Sequence, residues 1–452
     1  MTIRLRDLAA CFEGVIPSII ATAAPDGIPN ISYLSHVVLV DDERVALSNQ
    51  FFSKTATNVR ANPAAAVLIV NPRDGGQYRL DVTFEQTLDS GGLFDEMAIQ
   101  LRATSTHMGM GEVMRLRGID IYRVRSVQAV LALQPGQEVS SRDVGAQLMA
   151  AATVAHNVSE AADVGSIVDA VLDGLSDTFS FSHAMLLLKD PAGERLVTVG
   201  SRGYERSGIG SEVLVGEGVI GTAASERRPV RVSDMSRIQR FSSAVHASLD
   251  EENRTRTIAL PGMSNAMSQV ALPMIAHSAL RGVLFVESSE RLAFTKLDEA
   301  VLAIVAMQAA AALALSETET GEGVSSVPAG TEQPIMTGLG FRVVHYAYDD
   351  SIFIDNEYLI KGVPGRLLIH LLRIHLREGR TEFTNREIRL SEELRLPDIK
   401  DNLETRLLLL RRRLEEKAAP VQLLRTGRGR IRLELAGPAL LEVASGRTGG
   451  SR

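Results

Sequence analysis

Two stretches without apolar periodicity constrain this chain more than any other feature, because they cut it into lengths that must each bury a core of their own. Gln134 to Ser141 (QPGQEVSS) is short and polar, while Ser316 to Gly330 (SETETGEGVSSVPAG) is rich in Ser, Thr, Glu and Gly, and both read as linkers. Three units follow, at residues 1–133, 142–316 and 339–436, with a linker over 317–338 and a tail over 437–452. That count suits 452 residues at about 100 to 200 per domain. A hydrophobic content of 45% is ample for real cores and excludes a chain disordered throughout, a collagen or a disulfide miniprotein. Cys11 is the only cysteine, so neither an intramolecular disulfide nor a cysteine-based zinc site can form, in keeping with a reducing cytosol. The longest apolar run, Val301 to Leu315, is interrupted by Gln308 and falls about five residues short of a bilayer span. Met1 to Glu13 lacks the continuous apolar core of a signal peptide. No membrane helix and a cytoplasmic location are expected.

Net charge is -7, but its sign changes along the chain. Residues 1–130 carry 12 basic and 14 acidic side chains, residues 131–334 carry 15 and 25, and residues 335–452 carry 21 and 16. Only the last unit, at +5, has the electrostatics to approach a polyanion; the others, at -2 and -10, would be repelled.

In the first unit, strand-like runs at Ser18 to Ala23, Val37 to Val40, Val45 to Ser48, Ala65 to Val70 and Gln77 to Thr83 alternate with turn signals at Pro25-Asp26-Gly27 and Asp74-Gly75-Gly76. Short strands at this spacing predict a small barrel. Where the Leu47–Ser48–Asn49 strand gives way to a helix, Ser53, Lys54 and Thr55 offer two hydroxyls and an ammonium, with Asn58 one helical turn later. Charge-assisted donors beside free backbone amides are what a phosphate dianion needs; a solvated loop that happens to hold Ser, Lys and Thr is the plainer alternative. The order Ile20-Ala21-Thr22, Asp26-Gly27-Ile28-Pro29-Asn30, Leu47 to Thr55, Asn58 and Asn62-Pro63 resembles the pyridoxamine 5'-phosphate oxidase-like split barrel over about residues 5 to 128. The resemblance implies a flavin, usually FMN, at a two-subunit interface, and carries the cofactor contacts onto Ser48, Asn49, Ser53, Lys54, Thr55 and Asn58. Haem or a deazaflavin occupies such barrels in other branches, and His36 and His107 are the histidines available for haem. The basic C-terminal element that binds substrate phosphate in the true oxidases has no counterpart here, since Asp120 to Val124 reads as a strand end. Sensing through a bound cofactor is therefore expected rather than oxidase turnover, and no catalytic or metal-ligating residue is nominated.

The middle unit opens and closes with helix patterns, Asp143 to Val158 and Thr295 to Leu315, around strands such as Ala184 to Leu188, Val270 to Met274 and Gly282 to Glu287, an α+β plan. Gly216-Glu217-Gly218-Val219-Ile220-Gly221 does not follow a strand and open a βαβ unit, which disfavours a dinucleotide site. With Arg227-Arg228-Pro229-Val230, Asp234, Val270 to Met274 and Phe294-Thr295, it resembles a GAF domain over about residues 142 to 316, which implies a small-molecule ligand. The absence of a nearby cysteine excludes a covalent bilin within this unit. His183, His246 and His277 are its histidines, and Arg237 to Met267 reads as a flap over the pocket. Helices Leu148 to Val158 and Val301 to Leu315 suit pairing in a homodimer, the symmetry a split barrel also favours.

The last unit begins with strand patterns Phe353-Ile354-Asp355 and Tyr358-Leu359-Ile360, followed by helix Gly365 to Arg377, Thr384 to Ile388, helix Asp398 to Lys417, and Leu424-Arg425-Thr426-Gly427-Arg428-Gly429-Arg430. This order resembles the OmpR-type winged helix of response regulators over about residues 340 to 436. Thr384 can cap a helix with Glu387 completing a capping box. Leu403, Leu407, Leu410 and Leu414 mark one face of the third helix, with Lys400, Glu404, Arg411 and Arg413 projecting. For double-stranded DNA, Arg411, Arg412, Arg413, Arg425, Arg428, Arg430 and Arg432 would supply phosphate contacts, Asn402 and Arg406 would reach base edges, and Lys400 would add to the DNA-binding surface. Asp398, Asp401 and Glu404 oppose that reading, and a protein-docking module is the alternative. The whole is thus expected to be a multidomain α+β chain of split β-barrel, GAF domain and winged helix. As a function, the sequence points to a one-component sensor and transcriptional regulator, the alternative being a flavin-dependent oxidoreductase with regulatory domains.

Overall fold

The computed structural model describes residues 3–14, 16–34, 36–49, 53–107, 116–131, 143–191, 194–235, 258–319, 340–391, 394, 403–427 and 429–444. The first unit starts with a 3₁₀ helix, Leu5–Phe12, and continues through β1 (Ser18–Ala23), β2 (Pro29–Leu34), β3 (Val37–Leu39), β4 (Arg44–Asn49), α1 (Ser53–Ala61), β5 (Ala64–Val70), β6 (Gln77–Leu88), α2 (Gly92–His107) and β7 (Gly118–Leu131). Its seven strands form one antiparallel half-barrel sheet in the order β2-β1-β5-β6-β7-β4-β3. Both turn signals act as expected. Gly27 donates its amide to Ala24 in the β1–β2 hairpin, and Asp74 accepts from Gly76 between β5 and β6. Three register shifts along β6 and β7 bend the sheet around Ile20, Val45, Val67, Ile69, Leu80 and Tyr122. Asp120 to Val124, expected to end a strand, instead lies near the start of the 14-residue β7.

The middle unit comprises α3 (Val144–Ser159), α4 (Val164–Asp177), β8 (His183–Lys189), β9 (Arg195–Arg202), β10 (Glu212–Leu214), α5 (Gly218–Glu226), β11 (Val230–Val232), β12 (Ser268–Ala276), β13 (Ala279–Ser288) and α6 (Lys296–Glu319). Its sheet runs β10-β9-β8-β13-β12-β11. Alternation along β8 and β13 sends Leu186, Leu284 and Val286 toward α3, α4 and α6, and Met185, Leu187, Val283 and Phe285 toward α5. α6 exceeds the apolar run inside it, reaching 24 residues, and by length and composition alone could cross a membrane. Here Val301, Leu302, Val305, Ala306, Ala309 and Ala310 are buried in the core of the unit. Most of the expected flap, residues 237–257, lies outside the described residues.

The last unit contains β14 (Phe341–Tyr346), β15 (Ser351–Ile354), β16 (Glu357–Ile360), α7 (Val363–Glu378), β17 (Glu382–Thr384), α8 (Asn385–Leu390), α9 (Leu403–Glu416), β18 (Val421–Gly427), β19 (Arg430–Leu435) and β20 (Ala439–Ala444). Two sheets, β16-β15-β14-β20 and β17-β19-β18, flank the helices. The stretch expected to be a tail supplies β20, which pairs parallel to β14. Thr384 caps α8 by accepting from the Glu387 amide, but the Glu387 carboxylate turns to Arg380 and the Thr384 hydroxyl, so the reciprocal bond of a capping box is not made.

Candidate functional site

Three polar clusters stand out, one in each unit. In the first, α1 lays Thr55 and Asn58 against β1 and β2. Asn30 Nδ2 donates to Thr55 Oγ1 at 3.0 Å, Ser32 Oγ lies 3.0 Å from the same oxygen, and Asn58 Nδ2 donates to Thr22 Oγ1 at 3.1 Å. Thr22, Thr55 and Asn58 are buried, so this network pins the helix start to the sheet. Lys54 is exposed beside it; Ser53 opens α1. Ser48 and Asn49 belong to a separate group. Ser48 Oγ accepts from the His36 amide at 3.2 Å, and Asn49 Nδ2 donates to Asp120, which also accepts from Thr87 at 2.7 Å. Burial raises the Asp120 carboxyl, against the pull of Thr87, Arg60 and Asn49. Burial likewise lowers His36, whose ring packs under Gly14, which favours a neutral imidazole. Of the six nominated cofactor residues, the fold therefore joins Thr55 with Asn58 and places Ser48 with Asn49 elsewhere. The sequence reading missed Ser32, Thr87 and Asp120; the spacing of Asn30 and Ser32, which share one face of β2, was the available signal.

In the middle unit the glycine run, expected not to follow a strand, comes directly after β10 and turns the chain into α5, but β10 and β11 lie at opposite edges of the sheet, so no βαβ unit forms. On the same sheet face Glu287 is buried, accepting from the Met263 amide at 2.7 Å and from Gln269 Nε2 at 3.1 Å. The Tyr204 ring meets His183 edge-on at 5.4 Å. Burial pushes the Glu287 carboxyl up, and burial together with the Glu287 charge raises the Tyr204 phenol. His277 is exposed and His246 lies outside the described residues. Among the described residues, no three His, Cys, Asp or Glu side chains converge as a metal site.

The raised Glu287 carboxyl has a measurable consequence. Because the fold binds this proton more tightly than the unfolded chain, its contribution to stability falls as pH rises from the unfolded value of about 4.3 through the folded one, then levels off. Glu287→Gln cannot titrate. Denaturant unfolding at intervals between mildly acidic and neutral pH is expected to show the wild type losing stability relative to that variant, by about 1.4 kcal/mol for each unit of upward shift.

The third cluster lies on α9, which the sequence reads as an exposed recognition helix with one apolar face. Its neighbours differ from that expectation. Leu407, Leu408, Leu409 and Leu410 are all buried, and so are Arg412 and Arg413. Four consecutive leucines cover all faces of the helix's middle and need partners on each, and α9 packs between α7 on one flank and α4 and β9 of the middle unit on another. Arg413, expected to project, instead donates to the Leu359 carbonyl at 2.8 Å and pairs with Glu416 at 2.6 Å. Arg406 pairs with Asp190, and Arg425 with Asp163, both in the middle unit. Arg411 lies 3.7 Å from Glu415 and lines a small cavity with Asp163, Glu404, Arg425 and Arg430. Arg412 reaches furthest. It donates to the Val199 carbonyl at 2.7 Å, the Gly165 carbonyl at 3.2 Å and Asp169 at 2.8 Å. Burial pulls its pKa down, Asp169 opposing. Lys400, Asn402 and Arg428 lie outside the described residues.

Known proteins account for two of these units. The family model described as pyridoxamine 5'-phosphate oxidase matches residues 6–125, and the model described as GAF domain matches residues 161–314. The chain joins a pyridoxamine 5'-phosphate oxidase-like domain to a GAF domain. Both matches stop short of the last unit. No curated protein matches the chain. Similar solved structures include the GAF domain from an Acinetobacter phosphoenolpyruvate-protein phosphotransferase, 17% identical over 40% of this chain and 98% of that one, with a TM-score of 0.32. Free methionine-R-sulfoxide reductase from Neisseria meningitidis is 18% identical over 41% of this chain and 98% of its own, with a TM-score of 0.32. An FMN-binding protein from Syntrophomonas wolfei subsp. wolfei is 18% identical over 28% of this chain and 90% of its own, with a TM-score of 0.25.

Proposed function

We propose that the protein is a cytoplasmic one-component regulator, in which the barrel binds a flavin, the GAF domain binds a small molecule, and a winged helix reports their state to double-stranded DNA. The pairing of an oxidase-like domain with a GAF domain points to sensing or regulation. The observation that carries the rest is the direct seating of α9 on the GAF domain, which couples the sensing core to the most basic part of the chain. The order α7, α8, α9 and the β18–β19 hairpin, between two small sheets, supports a winged helix. In the barrel, the first-turn amides of α1 and the exposed Lys54 ammonium suit an FMN phosphate, with Thr55 and Asn58 fixing the helix rather than gripping the ligand. Haem is less well served by His36, which is packed under Gly14. Exposed Ile31 and Tyr33 on β2, and Met149, Ile304, Met307 and Leu315 on α3 and α6, support a homodimer. Cys11 is buried and its thiol is pushed up to about 12, which disfavours thiol chemistry at that residue.

The test is an absorption spectrum of the gently purified protein with mass identification of anything released, followed by duplex binding in the oxidised and reduced states. Flavin bands and a redox-dependent affinity are expected. Lys54→Ala should lower flavin retention by about tenfold, the loss of one charge-assisted contact. A colourless protein that takes up no added FMN would defeat the flavin reading.

A further inference from the structure

We infer that the GAF domain holds α9 in an autoinhibitory dock, so that DNA and the GAF surface compete for the same arginines and release of α9 is the regulated step. The inference rests on the DNA-binding reading above and names its regulation. Guanidinium groups that would contact DNA, at its phosphates or its base edges, are spent here on the GAF domain. Arg406 is on Asp190, Arg425 on Asp163, and Arg412 on Asp169 and two backbone carbonyls. A guanidinium carries its N–H donors in one fixed fork, and one buried against three GAF acceptors cannot swing to a phosphate without giving them up.

The GAF surface is shaped for this contact. A Cβ on Gly200 would lie 2.5 Å from Arg412 Nη1, and one on Gly165 would lie 3.0 Å from Arg411 Nη2 and 3.2 Å from Leu408 Cδ1. The two glycines let α9 approach closely, and Gly200 is held small as well by Val168 Cγ1 at 2.7 Å and Leu172 Cδ1 at 3.0 Å in α4. At Val199 the β8–β9 register slips, pairing Leu186 with Gly200 and Leu187 with Thr198. A residue skipped by the ladder has a carbonyl left for another donor, and Arg412 takes it. Asp163 serves twice, since it also caps α4 by accepting from the Ser166 amide at 2.8 Å. Charge follows the same division, with -10 over residues 131–334 against +5 over residues 335–452. Docking thus opposes DNA binding in proportion to the fraction of molecules in which α9 is seated.

The test uses the full chain with Asp169→Ala and Asp190→Ala combined, changes that touch no residue of the last unit. A control, Glu160→Ala with Asp177→Ala, removes the same charge from exposed GAF positions. Hydrogen exchange reads the seating of α9, and fluorescence anisotropy with a labelled mixed-sequence duplex at fixed salt reads affinity. Faster exchange in α9 with about tenfold tighter DNA binding in the dock variant, and neither change in the control, is the expected result. Faster exchange with DNA affinity equal to the wild type would overturn the inference while leaving DNA binding intact. Unchanged exchange in the dock variant would overturn it too, because these carboxylates would then not hold the seat. If α9 is released and neither protein binds the duplex, the DNA-binding reading itself fails, and the inference with it.

Discussion

Arg231→Ala is expected to destabilise the protein by about 3 to 5 kcal/mol, the cost of removing one partner from a buried ion pair. Arg231 sits on β11, largely but not fully buried, where the barrel meets the GAF domain. Its guanidinium pairs with Glu13 after the 3₁₀ helix and with Glu299 of α6 at 3.0 Å, and donates to the Phe294 carbonyl and Ser233 Oγ at 3.0 Å. Burial alone would lower its pKa, but Glu13 and Glu299 outweigh that and raise it. Without the cation, two carboxylates face each other in a site water reaches poorly. Thermal unfolding should then show the barrel and the GAF domain melting apart, and Arg231→Lys should recover part of the loss because it keeps the charge without the fork. A single unshifted transition for Arg231→Ala would show that this seam holds nothing together.

Gly203→Ala is expected to prevent the GAF domain from folding, at a cost above about 4 kcal/mol. Gly203 has φ +85°, and an added Cβ would lie 2.0 Å from the Ser182 carbonyl oxygen, a backbone atom with no freedom to move aside. Gly216 separates the two contributions. Its φ is +94° but nothing lies within 4 Å of the added atom, so Gly216→Ala should cost only the left-handed backbone penalty of about 1 to 2 kcal/mol. Soluble yield and circular dichroism of the two variants decide between them. Equal behaviour would mean that the contact with Ser182 adds nothing to the backbone term.

Much of the fold is legible in the residues because its signals are local. The β1–β2 and β5–β6 turns follow from Asp-Gly pairs, and α3 begins where Asp143 can cap it, accepting from the Gly145 amide. Other features depend on surfaces distant in sequence. The Leu407 to Leu410 run announces a helix buried on all faces along its middle, yet nothing near it identifies Asp163, Asp169 and Asp190 as what Arg425, Arg412 and Arg406 would meet. Glu287 is a similar case. A single acid at the end of an apolar strand reads as the point where the strand reaches solvent, and only the Met263 amide and Gln269, brought in by other segments, make it a buried acceptor. In the barrel the helix start at Ser53 is legible, but Thr55 and Asn58 turn inward onto Asn30, Ser32 and Thr22, partners that no local signal names.

The slipped register at Val199 bears on how this contact persists through evolution. Two of the three groups gripped by Arg412 belong to the main chain, at Val199 and Gly165, and a peptide carbonyl is present whatever side chain the position carries. Mutational drift at Val199 would leave the acceptor in place, so paired substitutions, the usual trace of contacting side chains, have little to register there. The record such a grip leaves is restraint on size at Gly165 and on charge at Asp169, since Gly200 is already kept small by Val168 and Leu172. Related sequences that lose the arginine while keeping the GAF core would have abandoned the contact without altering the fold.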